Sequence, residues 1–298
     1  MPLPFHGRLR SLLMGADHHV VLPDGRRLAY ADWGDPAARA VLYFHGGLSC
    51  RLDIGFGAED AKTDGTRLIA PDRPGIGGSD RSRGRSVASW AADVSALADG
   101  LSLGRFAVLG WSAGAPYALA CAALLPDRVT SVATVGGAPP LQGRADVKEL
   151  GLRGDRMLFP LAHHVPALAA PVLAITGRMP VRLLRKQLLA DIRSTADRAA
   201  VAEFDWRAVR EAVRHGGAGT VDDYRALAAD WGFDPATITA PVTLWHGGDD
   251  DLVPIAHARR LAYLIPAARY EVVRGAGHFL LHGHLPAVLD SLTAADVR

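Results

Sequence analysis

A serine, a run of aspartates and a histidine occur in three short motifs, in an order that suits nucleophilic catalysis. Ser112 lies in Gly110-Trp111-Ser112-Ala113-Gly114, which fits the pattern G-x-S-x-G. Further along the chain, Asp249-Asp250-Asp251 follows one apolar run, and His278 in Gly275-Ala276-Gly277-His278 follows the next. A serine hydroxyl attacks a carbonyl group only when a base takes its proton, and the base needs a carboxylate that orients it. The order serine, aspartate, histidine therefore predicts acyl transfer with Ser112 as nucleophile and His278 as base.

The residues around Ser112 favour this interpretation. The apolar run Phe106–Leu109 directly precedes the motif, and residues 113–125 have the pattern of a helix that stops at Pro126. A sharp turn from a strand into a helix leaves no room for side chains beside the nucleophile, which accounts for the glycines and Ala113. The alternative is an ordinary glycine-serine turn in which the serine caps the helix.

The elements that must position these motifs alternate between strands and helices. His18–Leu22 and Arg27–Trp33 flank the turn signal Pro23-Asp24-Gly25 and are typical of a hairpin. Residues 86–101 have helical spacing, with Ser86 as the expected N-cap. Short apolar runs separated by helical patterns indicate a mostly parallel sheet covered on both faces. These runs are residues 40–44, 67–70, 106–109, 129–135, 242–245 and 270–273.

The alternation stops in the middle of the chain. From about Leu141 to Asp234 the sequence shows helical patterns but no convincing strand, and strands resume at Val242. We therefore expect an α/β core formed by residues 1–138 and 237–298, with a helical cap at residues 139–236. Four helices are predicted within the cap, at residues 181–191, 196–204, 206–214 and 221–231.

Taken together, the motifs resemble those of the α/β-hydrolase superfamily, in particular serine hydrolases with a helical cap. The resemblance covers nearly the whole chain outside the helical segment. It rests on the serine motif, His45-Gly46-Gly47, Asp72-Arg73-Pro74-Gly75-Ile76-Gly77-Gly78-Ser79, the D-x-x-V-P of Asp250 to Pro254, and the G-x-G-H of Gly275 to His278.

The resemblance implies an α/β-hydrolase fold and assigns further residues. It places the acid at Asp250, with Asp249 and Asp251 as rivals. It implies an oxyanion hole formed by the backbone N–H groups of Gly47, or of Leu48, and of Ala113. His45 is expected to be structural. We also expect Leu48, Trp111, Met157, Phe159 and His163 to contact the substrate.

The predicted function is a serine hydrolase that cleaves an ester, thioester or amide bond of a small molecule through an acyl-enzyme on Ser112. No metal or organic cofactor is required. The alternatives are a lyase, an acyl-transferring or cyclising enzyme of secondary metabolism, a proline iminopeptidase-like peptidase, and a ligand-binding receptor on the same scaffold. Epoxide hydrolases and haloalkane dehalogenases share the architecture but use an aspartate nucleophile, so Ser112 argues against both.

Composition excludes several classes of protein. The chain is 49% hydrophobic and 21% charged, which excludes disorder, and its net charge of +2 does not favour nucleic-acid binding. No apolar run approaches the roughly 20 residues that span a bilayer. The N-terminus lacks the apolar core of a signal peptide, and the two cysteines, Cys50 and Cys121, form no disulfide framework. We expect a cytoplasmic enzyme whose partner is a small-molecule substrate, without nucleic acid or membrane. Its oligomeric state is open, with a homodimer as one option.

Overall fold

The central feature of the fold is a single sheet of eight strands, seen in a computed structural model that describes residues 18–293. The strands are His18–Val21 (β1), Arg27–Trp33 (β2), Arg39–Phe44 (β3), Thr66–Pro71 (β4), Phe106–Trp111 (β5), Val129–Val135 (β6), Val242–Gly247 (β7) and Arg269–Val273 (β8). With the strands numbered β1 to β8 along the chain, the spatial order is β1-β2-β4-β3-β5-β6-β7-β8. β1 and β2 form an antiparallel hairpin, β2 is also antiparallel to β4, and every other neighbouring pair is parallel.

Both faces of the central strands are buried, because helices cover the two sides of the sheet. Within β3, Leu42 and Phe44 join one apolar cluster, whereas Val41 and Tyr43 join the other. This alternation follows from the two-residue period of a strand. It explains why such strands have nearly continuous apolar sequences, and the prediction of a mostly parallel α/β sheet is confirmed.

Five α helices belong to this sheet. They are Ala58–Thr63 (α1), Trp90–Gly100 (α2), Ala115–Leu124 (α3), Ile255–Leu264 (α11) and Leu281–Thr293 (α12). Residues of α2, α3 and α11 pack in one apolar cluster, and residues of α1 and α12 pack in the other. Short 3₁₀ helices at Arg51–Gly57, Ser112–Gly114 and Pro235–Thr237 complete the connections.

The predicted N-cap at Ser86 is wrong, because α2 begins at Trp90. The hydroxyl of Ser86 accepts a hydrogen bond from the backbone N–H of Ser89 at 3.1 Å, and the Ser89 hydroxyl accepts one from the Ser86 N–H at 3.1 Å. The two serines therefore close a turn of their own. Serine side chains offer the backbone this alternative to a helical start.

Between β6 and β7 lies a segment of seven α helices, which we call the helical segment (residues 139–236). It contains no strand. The helices are Arg144–Glu149 (α4), Arg153–His164 (α5), Pro166–Arg178 (α6), Val181–Leu189 (α7), Thr195–Glu203 (α8), Arg207–Ala212 (α9) and Ala218–Ala228 (α10). The four predicted helices are present to within three residues at each end.

The sequence did not predict α4, α5 and α6. Pro160 lies inside α5 and Pro171 inside α6. Proline removes a backbone donor and usually ends a helix, so these segments lack the pattern of a continuous one.

Within residues 18–293, no single helix is long and apolar enough to cross a bilayer. The consecutive helices α6 and α7 together have the length and apolar composition of a membrane span, but their axes are bent by 107° relative to each other. Residues 1–17 and 294–298, the two ends of the predicted core, lie outside the described residues. The N-terminal stretch that was compared with a signal peptide is part of the first range.

Candidate active site

Ser112 occupies the sharp turn between β5 and α3, at the carboxyl edge of the sheet. β5 ends at Trp111, and Ser112 begins a 3₁₀ turn that leads into Ala115–Leu124. The φ angle of Ser112 is +53°, in the left-handed region that non-glycine residues rarely adopt. Such local strain is typical of a nucleophile elbow, where the turn exposes the serine side chain.

The two glycines of the motif are required by close backbone contacts. A Cβ atom on Gly110 would lie 2.5 Å from the carbonyl oxygen of Gly114, and one on Gly114 would lie 2.0 Å from the carbonyl oxygen of Phe44. Neither contact can be relieved by moving a side chain. The motif therefore reflects the packing of the elbow against β3 as well as the turn itself.

His278 and Asp250 lie side by side on the loops that follow β8 and β7. The Nδ1 atom of His278 is 2.8 Å from Oδ2 of Asp250. The other carboxylate oxygen of Asp250 accepts hydrogen bonds from the backbone N–H groups of Leu252 and Val253, both at 2.8 Å. These bonds fix the carboxylate, which in turn fixes the plane and tautomer of the imidazole.

The neighbouring aspartates point elsewhere. Asp249 is exposed, and Asp251 accepts hydrogen bonds from the backbone of Arg193 and Ser194 at 2.7 and 2.8 Å. Of the three candidates, Asp250 is the one that the fold brings to His278.

Two further groups hold the backbone of His278. Asp197, in α8, accepts hydrogen bonds from the N–H groups of His278 and Phe279 at 2.7 and 2.8 Å. The indole Nε1 of Trp111 donates to the carbonyl oxygen of His278 at 3.1 Å. Sequence reasoning missed Asp197, because it lies 81 residues from His278 in a helix with no motif.

The electrostatic surroundings favour a charged imidazole at His278. Burial alone would lower its pKa, but the carboxylates of Asp250, Asp197 and Asp155 outweigh burial, and the pKa is raised above its ordinary value. His246 also lies near Asp250, at 3.5 Å, and its pKa is lowered by burial. Negative surroundings of this kind stabilise an imidazolium.

The loop after β3 approaches the elbow. A Cβ atom built on Gly47 would lie 3.7 Å from the Cβ of Ala113, and the next residue, Leu48, has a φ angle of +45°. Gly47 and Ala113 thus come together beside Ser112.

A buried arginine holds this loop in place. Arg73 donates hydrogen bonds to the carbonyl oxygens of His45 and Gly46, at 2.6 and 3.0 Å. Its backbone N–H also donates to Nε2 of His45 at 3.3 Å. The imidazole of His45 is fully buried in this network, which agrees with a structural role.

Arg73 is itself anchored by Asp223 of α10. The Arg73 Nη2 atom lies 2.7 Å from Asp223, and Arg85 and the Tyr117 hydroxyl each donate to the same carboxylate at 2.7 Å. Burial would raise the pKa of Asp223, but the two guanidinium groups lower it far below its ordinary value. The loop at Gly47 therefore depends on a residue of the helical segment.

Ser112, His278 and the loop at Gly47 face a common cavity of about 650 Å³. Its wall includes Ser112, His278, Gly47 and Ala113 from the sheet loops, and most of the remaining wall comes from the helical segment. Four of the expected substrate contacts, Leu48, Trp111, Met157 and Phe159, lie in the wall.

The expected contact at His163 is wrong. His163 is exposed and is not part of the cavity wall, and its ring instead lies edge-on to His164 at 4.8 Å. Leu158, Phe159 and Ala162 form the buried side of α5. His163 lies at the edge of this buried side, because its side chain is rotated by about 100° from that of Ala162.

Within residues 18–293, no group of three or more His, Cys, Asp or Glu side chains is arranged so that it could hold a metal ion. The ring of His282 instead stacks on Phe56 at 4.0 Å, and burial lowers its pKa to about 4.

A sequence profile of the alpha/beta hydrolase fold family matches residues 39–285. The chain belongs to this family. The predicted family is thereby confirmed, and membership supports a general α/β-hydrolase activity.

Among curated relatives, a non-heme chloroperoxidase of Streptomyces lividans is 30% identical, over 94% of this α/β-hydrolase and 99% of the relative. A pimeloyl-[acyl-carrier protein] methyl ester esterase of Aromatoleum aromaticum is 30% identical, over 76% of this chain and 86% of the relative.

Solved structures agree with this fold. The bromoperoxidase from Bacillus anthracis superposes on the α/β-hydrolase described here with a TM-score of 0.71, covering 95% of this chain and 100% of the other. The two sequences are 19% identical, so this likeness concerns the fold alone.

Proposed function

We propose that this α/β-hydrolase is a serine hydrolase that cleaves an ester, thioester or amide bond of a small molecule through an acyl-enzyme on Ser112. The observation that carries the proposal is the 2.8 Å contact between His278 Nδ1 and Asp250, with His278 and the strained Ser112 facing one cavity. A carboxylate on Nδ1 leaves Nε2 free to act as the base.

The proposed reaction has two halves. His278 takes the proton of Ser112 as the hydroxyl attacks the carbonyl carbon, and Asp250 stabilises the imidazolium that forms. The N–H groups of Ala113 and of Gly47 or Leu48 bind the oxyanion. His278 then gives its proton to the leaving group. In the second half, His278 activates a water molecule that releases the acid from Ser112.

We propose further that the helical segment acts as a cap that selects the substrate. It forms most of the wall of the cavity, including the side chains of Met157, Phe159 and Tyr224. A cavity with a mostly apolar wall orients an acyl or alcohol chain over Ser112. The methyl ester esterase among the relatives favours an ester as the substrate.

The test is covalent labelling followed by turnover. A fluorophosphonate probe should label Ser112, identified by mass spectrometry of the labelled peptide, and wild type should hydrolyse short p-nitrophenyl esters. Ser112→Ala should remain folded, lose the label and lower kcat by several orders of magnitude. Turnover at the wild-type rate in Ser112→Ala would refute the proposal, and tight ligand binding without turnover in wild type would favour a receptor.

A second candidate follows from the chloroperoxidase relative. Hydrogen peroxide can replace water as the acceptor, because it is also a small oxygen nucleophile. The acyl-enzyme on Ser112 would then yield a peracid and regenerate the serine. Acetic acid would acylate Ser112 with loss of water, and the peracid would oxidise bromide to hypobromous acid and return to acetic acid. Bromination of a dye in the presence of acetate, bromide and hydrogen peroxide, lost in Ser112→Ala, would support this candidate over simple hydrolysis.

A further inference from the structure

One carboxyl group in the cavity wall forms no ion pair at contact distance with any residue of 18–293, although it acts electrostatically on the imidazole of His278. Three aspartates contribute to the wall: Asp155, Asp191 and Asp223. Asp223 is paired with Arg73 and Arg85, as described above, and Asp191 is paired with Arg153 at 2.5 Å. Among residues 18–293, no arginine, lysine or histidine lies within ion-pair distance of Asp155.

The single hydrogen bond of Asp155 leaves half of its carboxyl group unused. The Tyr224 hydroxyl donates to Oδ1 at 2.6 Å, whereas Oδ2 has no hydrogen-bond partner in the described part of the chain. The ring of Tyr224 packs edge-on against Phe159 at 4.5 Å, one helical turn beyond Asp155. Asp155 and Tyr224 thus form a fixed pair with one acceptor oxygen to spare.

The cost of ionising the Asp155 carboxyl group away from water would be offset by a cation in the cavity. Asp155 is half-buried beside apolar side chains, and removal of water from its carboxyl group raises its pKa. Placing an ionised carboxylate in apolar surroundings is costly unless it is paired. A ligand that brings a positive charge and hydrogen-bond donors would offset that cost, whereas an anionic ligand would increase it.

We infer that Asp155, supported by Tyr224, binds an ammonium group on the substrate, in the same cavity as Ser112. The substrate class is then a small acyl compound that carries an aliphatic amine a short apolar distance from the scissile bond. This inference deepens the proposed function and rests on it for the position of that bond.

Three ester series test the inference by turnover. They are p-nitrophenyl esters of straight-chain acids of equal length that end in an amino, a methyl or a carboxyl group, over a range of chain lengths. At the best length, wild type should show a kcat/KM for the amino ester about tenfold or more above that of the methyl ester, since a charged hydrogen bond is involved. The carboxyl ester should be the poorest substrate.

The decisive variant is Asp155→Asn, which keeps the shape and removes the charge. It should lower the ratio of kcat/KM for the amino ester to kcat/KM for the methyl ester to about one, and any effect on His278 cancels in this ratio because it acts on both esters alike. Asp155→Ser serves as a second variant if the amide variant does not fold. The matched control is Asp146→Asn, an acid on the preceding helix that pairs with Arg260 outside the cavity wall and should leave the preference intact.

A binding measurement separates this inference from the proposed function. Calorimetry with n-hexylammonium and hexan-1-ol requires no turnover. Wild type and Ser112→Ala should both bind the ammonium about tenfold or more tightly than the alcohol, and Asp155→Asn should bind the two alike. Equal affinities in wild type, or an ammonium preference that Asp155→Asn retains, would overturn the ammonium site even if Ser112 is labelled normally. Failure of labelling with the ammonium preference intact would instead count against the proposed hydrolase.

Discussion

Asp197 of the helical segment accepts a 2.7 Å hydrogen bond from the backbone N–H of His278. The same carboxylate accepts from the N–H of Phe279, and Asp197 is only 1% exposed. A Cβ atom on Gly277 would lie 2.2 Å from the carboxylate, so the glycine before His278 permits this approach. The helical segment is therefore connected directly to the backbone of the proposed catalytic base.

We expect Asp197→Asn to change the position and the pKa of His278 while leaving the imidazole in the site. The amide side chain can accept one of the two hydrogen bonds but brings an N–H group towards a second donor, and it removes a negative charge near the imidazole. The kcat of ester hydrolysis should fall, and the acid limb of the kcat/KM profile should move to lower pH because Asp197 helps to raise the pKa of His278. The free energy of unfolding should decrease by about 1.5–3 kcal/mol, the contribution of a hydrogen bond to a charged group.

The control for this variant is Asp205→Asn. Asp205 belongs to the same segment but pairs with the partly exposed Arg207. It should leave both the rate and the acid limb unchanged. An unshifted acid limb in Asp197→Asn, with only a loss of stability, would reduce Asp197 to a purely structural role.

The three consecutive aspartates provide a second prediction. Asp250→Asn should lower kcat by orders of magnitude, because an amide cannot hold the required imidazole tautomer. Asp249→Asn should be close to wild type, and Asp251→Asn should act mainly on stability through Arg193 and Ser194. The measurements are the kcat and the thermal unfolding of the three variants. A larger loss of kcat in Asp249→Asn or Asp251→Asn than in Asp250→Asn would exclude Asp250 as the acid.

The sequence predicted the sheet and the elbow because both impose strong local patterns. Buried parallel strands require continuous apolar residues, and the approach of Gly110 and Gly114 to neighbouring carbonyl groups excludes any side chain. Local steric rules of this kind leave a recognisable trace in the order of residues.

The roles of Asp155, Asp197 and Asp223 could not be predicted in the same way. Each lies in the helical segment, and each finds its partner only through tertiary packing. Asp223, for example, is 150 residues from Arg73 in the chain. An aspartate on an amphipathic helix is ordinarily a solvated residue, so the pattern alone favours the surface. The exposure of His163 could not be predicted for the same reason, because the packing of α5 decides whether its side chain faces the cavity or the solvent.

The pH dependence of wild type gives a third prediction. His278 must be neutral to take a proton from Ser112, and its pKa is raised above the ordinary value of 6.5. Activity should therefore be lost as the pH falls through a midpoint above 6.5, seen in kcat/KM because this parameter reports the free enzyme. Asp155→Asn should lower the midpoint, since Asp155 is one of the carboxylates that raise the pKa. A midpoint below 6.5 in wild type would show that burial outweighs the three carboxylates.

The last prediction concerns the buried network beneath the loop at Gly47. Asp223→Asn leaves the guanidinium groups of Arg73 and Arg85 without their carboxylate in a site closed to water. Breaking a buried ion pair by removing one partner costs about 3–5 kcal/mol, so the midpoint of urea unfolding should fall accordingly.

Its neighbour Asp222 is the matched control, because it pairs with Arg81, whose side chain is 36% exposed. Asp222→Asn should cost less than Asp223→Asn, because the Arg81 guanidinium that loses its partner reaches solvent. Asp223→Asn should also slow fluorophosphonate labelling of Ser112, because Arg73 holds the carbonyl groups of His45 and Gly46. Equal losses of stability in the two variants, with labelling unaffected, would mean that the loop at Gly47 keeps its shape without the network.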